Sequence, residues 1–197
     1  MRELTGNLLH EETHVVNNLA KGLIIGNRIP KDYFITDGIG ESDITVHAGS
    51  YHLALKDAGI EKANIMTYSS ILPAISNKVE KPENYVHGAV METIMAVANG
   101  RRGELVSAGI IYGMLYDRLT GEKYGGLVCE HNGNYTEEKI TNLLESSLNE
   151  LYYNGFEEQY ELREKEILLR SFIPRKEYGT ALVAMCFVNY FYPVLQI

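Results

Sequence analysis

Three places in this 197-residue chain combine residue types and spacings that could do chemistry: the pair Ser69-Ser70, the acid Glu130, and the cluster His10-Glu11-Glu12-Thr13-His14. The serine pair follows Asn64-Ile65-Met66-Thr67-Tyr68, a β-branched and aromatic run that reads as a strand, and precedes Ile71-Leu72-Pro73. Proline has no N–H for a ladder and holds the residue before it extended, so the pair sits where a strand runs out into a constrained loop. There a peptide bond can be held under strain, with a hydroxyl aimed at the carbonyl before it. Ser146-Ser147 lies inside a helical pattern instead and reads as solvated surface. Glu130 ends the apolar run Gly126-Leu127-Val128-Cys129, where desolvation raises a carboxyl pKa toward the range of a general acid. Cys129, its neighbour on a strand, points to the opposite face and reads as core.

The third cluster is a literal H-E-x-x-H. In zinc peptidases the two histidines, four apart, share a helix face and bind the metal while the glutamate activates water. Leu8, Leu9, Val15, Val16 and Leu19 give Leu8 to Leu19 the pattern of such a helix. Only nine residues precede His10, however, too few for a substrate-binding wall, and no third-ligand motif follows. The cluster reads as a polar helix face in an N-terminal extension of residues 1–25, and no metal is expected.

The elements that must position Ser70 and Glu130 follow from periodicity. Asp32 to Thr36 is a short strand, and Gly38-Ile39-Gly40-Glu41-Ser42-Asp43 reads as a loop whose two carboxylates suit a cationic ligand. Tyr51, Ala54, Leu55 and Ala58 have helical spacing, with Gly59 as the cap. Gly88 to Val97 and Leu105 to Tyr116 are β-rich runs, with Asn99-Gly100 as the hairpin signal between them. Tyr124 to Glu130 is another strand. Thr136 caps a helix whose stripe is Ile140, Leu143, Leu144, Leu148, Leu151 and Tyr152, and Glu137 and Glu138 in its first turn suit the dipole. Leu162 to Ile173 and Tyr178 to Tyr192 are two long strands around Pro174-Arg175-Lys176. Few helices and neighbouring strands, without strict alternation, give an α+β fold.

The totals bound the function. A chain of this length is one domain, able to bury about 70% of the surface it exposes when unfolded. A net charge of −8 argues against nucleic acid and acidic membrane as partners and suits a cationic small substrate. Cys129 and Cys186 are too few for a disulfide framework, and no stretch has signal-peptide or membrane-span character, so a cytoplasmic enzyme is expected.

Asn64, its six-residue spacing to Ser70, and Ile71-Leu72-Pro73 resemble the self-processing site of the pyruvoyl-dependent arginine decarboxylases. Gly38 to Asp43 resembles a loop of one branch of that family. Asp57-Ala58-Gly59-Ile60, His87-Gly88-Ala89-Val90, Gly126 to Glu130 and Tyr178-Gly179-Thr180-Ala181-Leu182 match in order, over roughly residues 26–190. The resemblance implies a layered αββα-type sandwich of mostly antiparallel sheets, a single decarboxylase domain over 26–197, and a homotrimer. It implies cleavage between 69 and 70 by attack of the Ser70 hydroxyl on the Ser69 carbonyl, polarised by Asn64. Residue 70 then becomes a covalent pyruvoyl group, which forms a Schiff base with the substrate amine and accepts the electrons left by carbon dioxide. Glu130 returns a proton, and arginine becomes agmatine. His87 precedes a strand and reads as structural.

The chain departs from the pattern at one position: eighteen residues before Ser70, where the family has an aspartate for the guanidinium, stands His52. Either another acid holds arginine, Glu41 and Asp43 being the candidates, or the substrate is a different amino acid. Two further readings stay open. A chain that cleaves without elimination would be an N-terminal-nucleophile hydrolase, and one that never cleaves would be an assembly or binding subunit.

Overall fold

The structure is a computed structural model and describes residues 25–194, so the His10–His14 cluster lies outside the described residues. The β-rich runs become long strands: β2 (Asp32–Ser42), β6 (Val90–Arg101), β7 (Val106–Asp117), β8 (Lys123–Gly133), β9 (Tyr160–Phe172) and β10 (Tyr178–Phe187). Shorter β3 (Asn64–Thr67), β4 (Ile71–Pro73) and β5 (Asn77–Lys78) lie between them, with helices α1 (His52–Asp57), entered through a π-helical turn at Val46–Tyr51, and α2 (Glu137–Tyr153). A small second unit holds the described ends, 25–29 and 191–194, where Ile25 bridges Val194; β1 (Ile29–Pro30) and β11 (Tyr190–Phe191) form a two-stranded ribbon. None of the described helices is long and apolar enough to cross a membrane.

The fold is α+β, with mostly antiparallel sheets. One sheet has the order β3-β6-β10-β2-β5 and the other β4-β8-β7-β9; β3 on β6 and β5 on β2 are the parallel pairs. Strand β10 is central and buried from Gly179 to Phe187, as a strand covered on both faces must be. Alternation sorts the side chains into three apolar clusters. Ile94, Ala96, Val183 and Met185 of the larger sheet join Val106, Ile110, Met114 and Val128 of the smaller one. Phe34, Leu182 and Ala184, from the other face of the larger sheet, meet Ala54, Leu55 and Ala58 of the α1 region. Ile111, Leu115 and Leu127 meet Ile140, Leu144, Leu148 and Tyr152 of α2. That helix starts as the sequence predicts: the Thr136 hydroxyl accepts the Lys139 N–H at 3.3 Å.

Three local expectations are corrected. Gly38 to Ser42 is not a loop but the second half of β2. Its glycines serve close approach: a Cβ on Gly38 would stand 2.2 Å from the Ala54 carbonyl oxygen, and one on Gly40 2.1 Å from that of Ser50. The hairpin expected at Asn99-Gly100 turns three residues later, at Gly103 with φ +81°. Asn99 stays in β6 opposite Thr180, whose hydroxyl it accepts at 2.7 Å. The last long strand also ends early, because the Asn189 side chain takes the Asp32 N–H at 3.0 Å.

Candidate active site

Strands β3 and β4 are edges of different sheets, and the three residues Tyr68 to Ser70 carry the chain from one to the other. Both ends of this crossing are fixed. The Tyr68 N–H donates to the Thr93 carbonyl at 2.7 Å, and the Ser70 carbonyl accepts the Val128 N–H at 2.9 Å. Between them the Ser69 carbonyl accepts the Ile71 N–H at 3.1 Å, which closes a three-residue turn centred on Ser70. The carbonyl that the Ser70 hydroxyl would attack is thus already held by a hydrogen-bond donor.

The hydroxyl faces the predicted acid. Ser70 Oγ donates to Glu130 Oε2 at 3.4 Å, a long bond between half-buried groups sixty residues apart in sequence. Register places Glu130 two residues beyond Val128 on β8, hence on the same face, between the sheets. Burial pushes the Glu130 carboxyl above its ordinary pKa, while the Ser70 hydroxyl bond pulls the other way. Cys129 falls on the α2 side, as expected, and burial, with a smaller contribution from the Glu130 charge, pushes its thiol up to about 11.

Other predicted residues have partners away from the serine pair or are exposed. Asn64 is exposed at the start of β3, where its side-chain amide donates to the Gly88 carbonyl at 2.8 Å rather than to Ser69. His52 is exposed on the first turn of α1, and no hydrogen bond joins it to Ser70 among the described residues. Glu41 accepts the backbone N–H groups of Arg175 and Lys176, the latter at 3.3 Å. Asp43 accepts that of Glu177 at 3.2 Å and pairs with Arg102 at 3.5 Å. His87 sits in an exposed turn.

Sequence reasoning missed three groups beside the serine pair. The Ile71 N–H is a backbone donor and has no residue signature. Tyr68 belongs to the strand pattern before the serine pair and nothing in that pattern marks it out, yet its hydroxyl donates to the Glu92 carboxylate and its ring lies 5.6 Å from that of Phe187. Glu92 did leave a signal, as a lone charge inside the apolar run Val90 to Val97, and it is 2% exposed.

A family model described as pyruvoyl-dependent arginine decarboxylase matches residues 32–191. The chain belongs to that family. Relatives include a pyruvoyl-dependent arginine decarboxylase of Methanopyrus kandleri, 32% identical over 123 residues, covering 62% of this chain and 75% of that protein. That of Thermoplasma volcanium is 28% identical over 152 residues, covering 70% and 81%. The pyruvoyl-dependent arginine decarboxylase AaxB of Chlamydia trachomatis serovar L2 is 29% identical over 186 residues, covering 84% and 94%. The family's prosthetic group is a covalent pyruvoyl, and residue 70 fits as its precursor. It supplies the hydroxyl, the carbonyl before it is held by an N–H, and a half-buried acid lies within reach.

Proposed function

We propose that the chain divides itself between Ser69 and Ser70 and then decarboxylates arginine to agmatine, with Ser70 and Glu130 as catalytic residues. The observation that carries this reading is the Ser70 hydroxyl, 3.4 Å from Glu130, beside a Ser69 carbonyl engaged by the Ile71 N–H. An oxygen lone pair of Ser70 attacks the Ser69 carbonyl carbon, the C–N bond breaks, and the hydroxyl proton ends on the freed amine. The peptide has become an ester, and the Ile71 N–H stabilises the oxyanion formed on the way. Loss of the residue-70 α-proton with cleavage of the Cβ–Oγ bond leaves a carboxylate at Ser69 and dehydroalanine at 70. Its imine tautomer takes up water and releases ammonia.

The ketone so formed supplies an electrophile for the substrate amine and a sink for the electron pair left by carbon dioxide. Glu130 keeps its proton more tightly than an exposed carboxyl, which suits it to protonate the substrate α-carbon afterwards.

Asn64, His52, Glu41 and Asp43 belong to this reading through assembly. Asn64 and His52 are exposed, so they serve a neighbouring copy's site in a homotrimer, with Asn64 polarising the scissile carbonyl and His52, Glu41 and Asp43 facing the guanidinium. Met66 and Val90 near the β3 edge and Ile71 on β4 are exposed apolar side chains, which supports burial against a second copy. The three apolar clusters support an αββα-type layering in a single domain behind the extension of residues 1–25. A cytoplasmic location fits a small-molecule enzyme of net charge −8.

Ser70→Ala tests the reading directly. Wild type should give two bands on a denaturing gel, the second fragment lighter by intact mass than one beginning with serine. The variant should run as one folded, inactive chain. A Ser70→Ala chain that still divides near residue 69 removes the serine from the chemistry, and a serine-initiated wild-type fragment makes the enzyme a hydrolase of the N-terminal-nucleophile kind.

A further inference from the structure

We infer that Tyr68 and Glu92 form a positioning pair for self-processing, an assignment that rests on the Ser70 reading above. Glu92 lies on β6, level with Met66 of β3, and its carboxylate accepts the Tyr68 hydroxyl. By strand alternation its side chain shares the inner face of the larger sheet with Ile94 and Ala96, in the cluster between the sheets. A carboxylate only 2% exposed there is costly unless it is bonded, and an apolar residue of the same size would fill the space without that cost. Stability alone therefore does not account for the pair. What it contributes is a fixed position for the side chain two residues before Ser70.

The Tyr68 ring is held by Phe187 at 5.6 Å, its hydroxyl by Glu92, and its backbone N–H by Thr93 at 2.7 Å. These contacts leave Tyr68 little rotational freedom. On the far side Val128 holds the Ser70 carbonyl at 2.9 Å. The scissile peptide is thus suspended between two anchors, one on each sheet, and the turn closed by the Ile71 N–H on the Ser69 carbonyl is set by both. Attack depends on that geometry, and a displacement of about 1 Å is enough to slow such a step about 100-fold. Releasing the Tyr68 anchor lets the peptide relax away from the near-attack arrangement.

The test follows self-cleavage of freshly made full-length chain over time on a denaturing gel, with the thermal midpoint of the uncleaved precursor measured in parallel. Tyr68→Phe removes one hydroxyl and keeps the ring. It should slow cleavage about 10- to 100-fold. Tyr68→Phe combined with Glu92→Leu removes the buried carboxylate together with the hydroxyl, so its precursor should be at least as stable as wild type and cleave as slowly as Tyr68→Phe. That separation of stability from rate is what a purely structural pair would not give. Cleavage of Tyr68→Phe at the wild-type rate overturns the assignment, as does recovery of the rate in the double variant together with its stability. A wild-type chain that never divides overturns the Ser70 reading as well, whereas one that divides alongside unaffected variants overturns the pair alone.

Discussion

Two regions of this protein hold carboxylates that the sequence marks for function, and they differ in what those carboxylates already do. Glu130 is half-buried between the sheets, where its carboxylate accepts the Ser70 hydroxyl at 3.4 Å. Glu41 and Asp43, at the far end of β2, are engaged by the backbone N–H groups of Arg175, Lys176 and Glu177. Register separates the regions: Glu41 pairs with Gly179, which pairs with Gly100 of β6, whereas Tyr68 reaches Thr93 of the same strand. Seven residues of strand span more than about 20 Å. The acid we propose for proton return keeps a loosely bonded oxygen and a raised pKa; the acids beside the turn give lone pairs to the backbone. Residue type alone does not distinguish them.

Glu130→Gln tests the first kind of acid. Glutamine keeps the size and can still accept from Ser70, so the chain should divide normally. Turnover should fall by about 10²–10⁴-fold, the range for loss of a positioned general acid. The variant should also alter the pH profile of stability. Burial raises the Glu130 pKa, so the folded chain binds this proton more tightly than the unfolded one. Its contribution is full below the unfolded pKa and is lost as pH rises through the folded one. Glu130→Gln should therefore gain stability relative to wild type across that rise. A processed variant with full turnover ends the assignment.

His52→Asp asks whether the guanidinium needs an acid at position 52, where this chain has histidine. A carboxylate–guanidinium pair is planar and charge-assisted, worth about 1.5–3 kcal/mol, whereas neutral histidine offers one acceptor and protonated histidine repels. In an assay of carbon dioxide release from a panel of amino acids, the variant should lower KM for arginine about 10- to 100-fold. Turnover of a neutral or acidic amino acid by wild type, with arginine ignored, would move the substrate and leave the pyruvoyl chemistry in place.

Part of the candidate site was legible because its parts are local or periodic, or match a known pattern. The α2 stripe follows from short-range rules, whereas Ser69-Ser70 before Leu72-Pro73 and Glu130 after an apolar run have suitable settings but are singled out by their match to the family pattern. The rest depends on pairing partners far along the chain. Gly38 and Gly40 look like loop residues until α1 and the turn before it press against them, and Asn99-Gly100 looks like a turn until β10 pairs beside it. The Ile71 donor is backbone, and Tyr68 gains its role from Glu92, twenty-four residues away.

The smallest predicted effect bears on the second kind of acid. The turn Pro174 to Glu177 folds back closely enough that a Cβ on Gly179 would lie 2.1 Å from the Pro174 ring. The Pro174 carbonyl accepts the Gly103 N–H at 2.9 Å, so this turn and the hairpin after β6 brace each other. Glu41 supplies the acceptor for two N–H groups at the head of the turn. Glu41→Ala should cost about 1 kcal/mol, because the groups lie near solvent, which regains part of the loss. In a chain of this size that lowers the thermal midpoint by roughly 2–4 °C. Glu41→Gln retains an acceptor oxygen and should melt close to wild type. A substrate role makes the opposite demand: the charge matters, so Glu41→Gln would raise KM for arginine about as much as Glu41→Ala does. Melting and KM, measured on the same two variants, therefore decide which of the two regions Glu41 belongs to. A stable Glu41→Gln enzyme with a large rise in KM would place it with the substrate, across a contact between copies. With Glu41 facing the guanidinium as proposed, we expect a midpoint shift in the alanine variant and a raised KM in both; an unchanged KM in the glutamine variant would leave Glu41 to the turn alone.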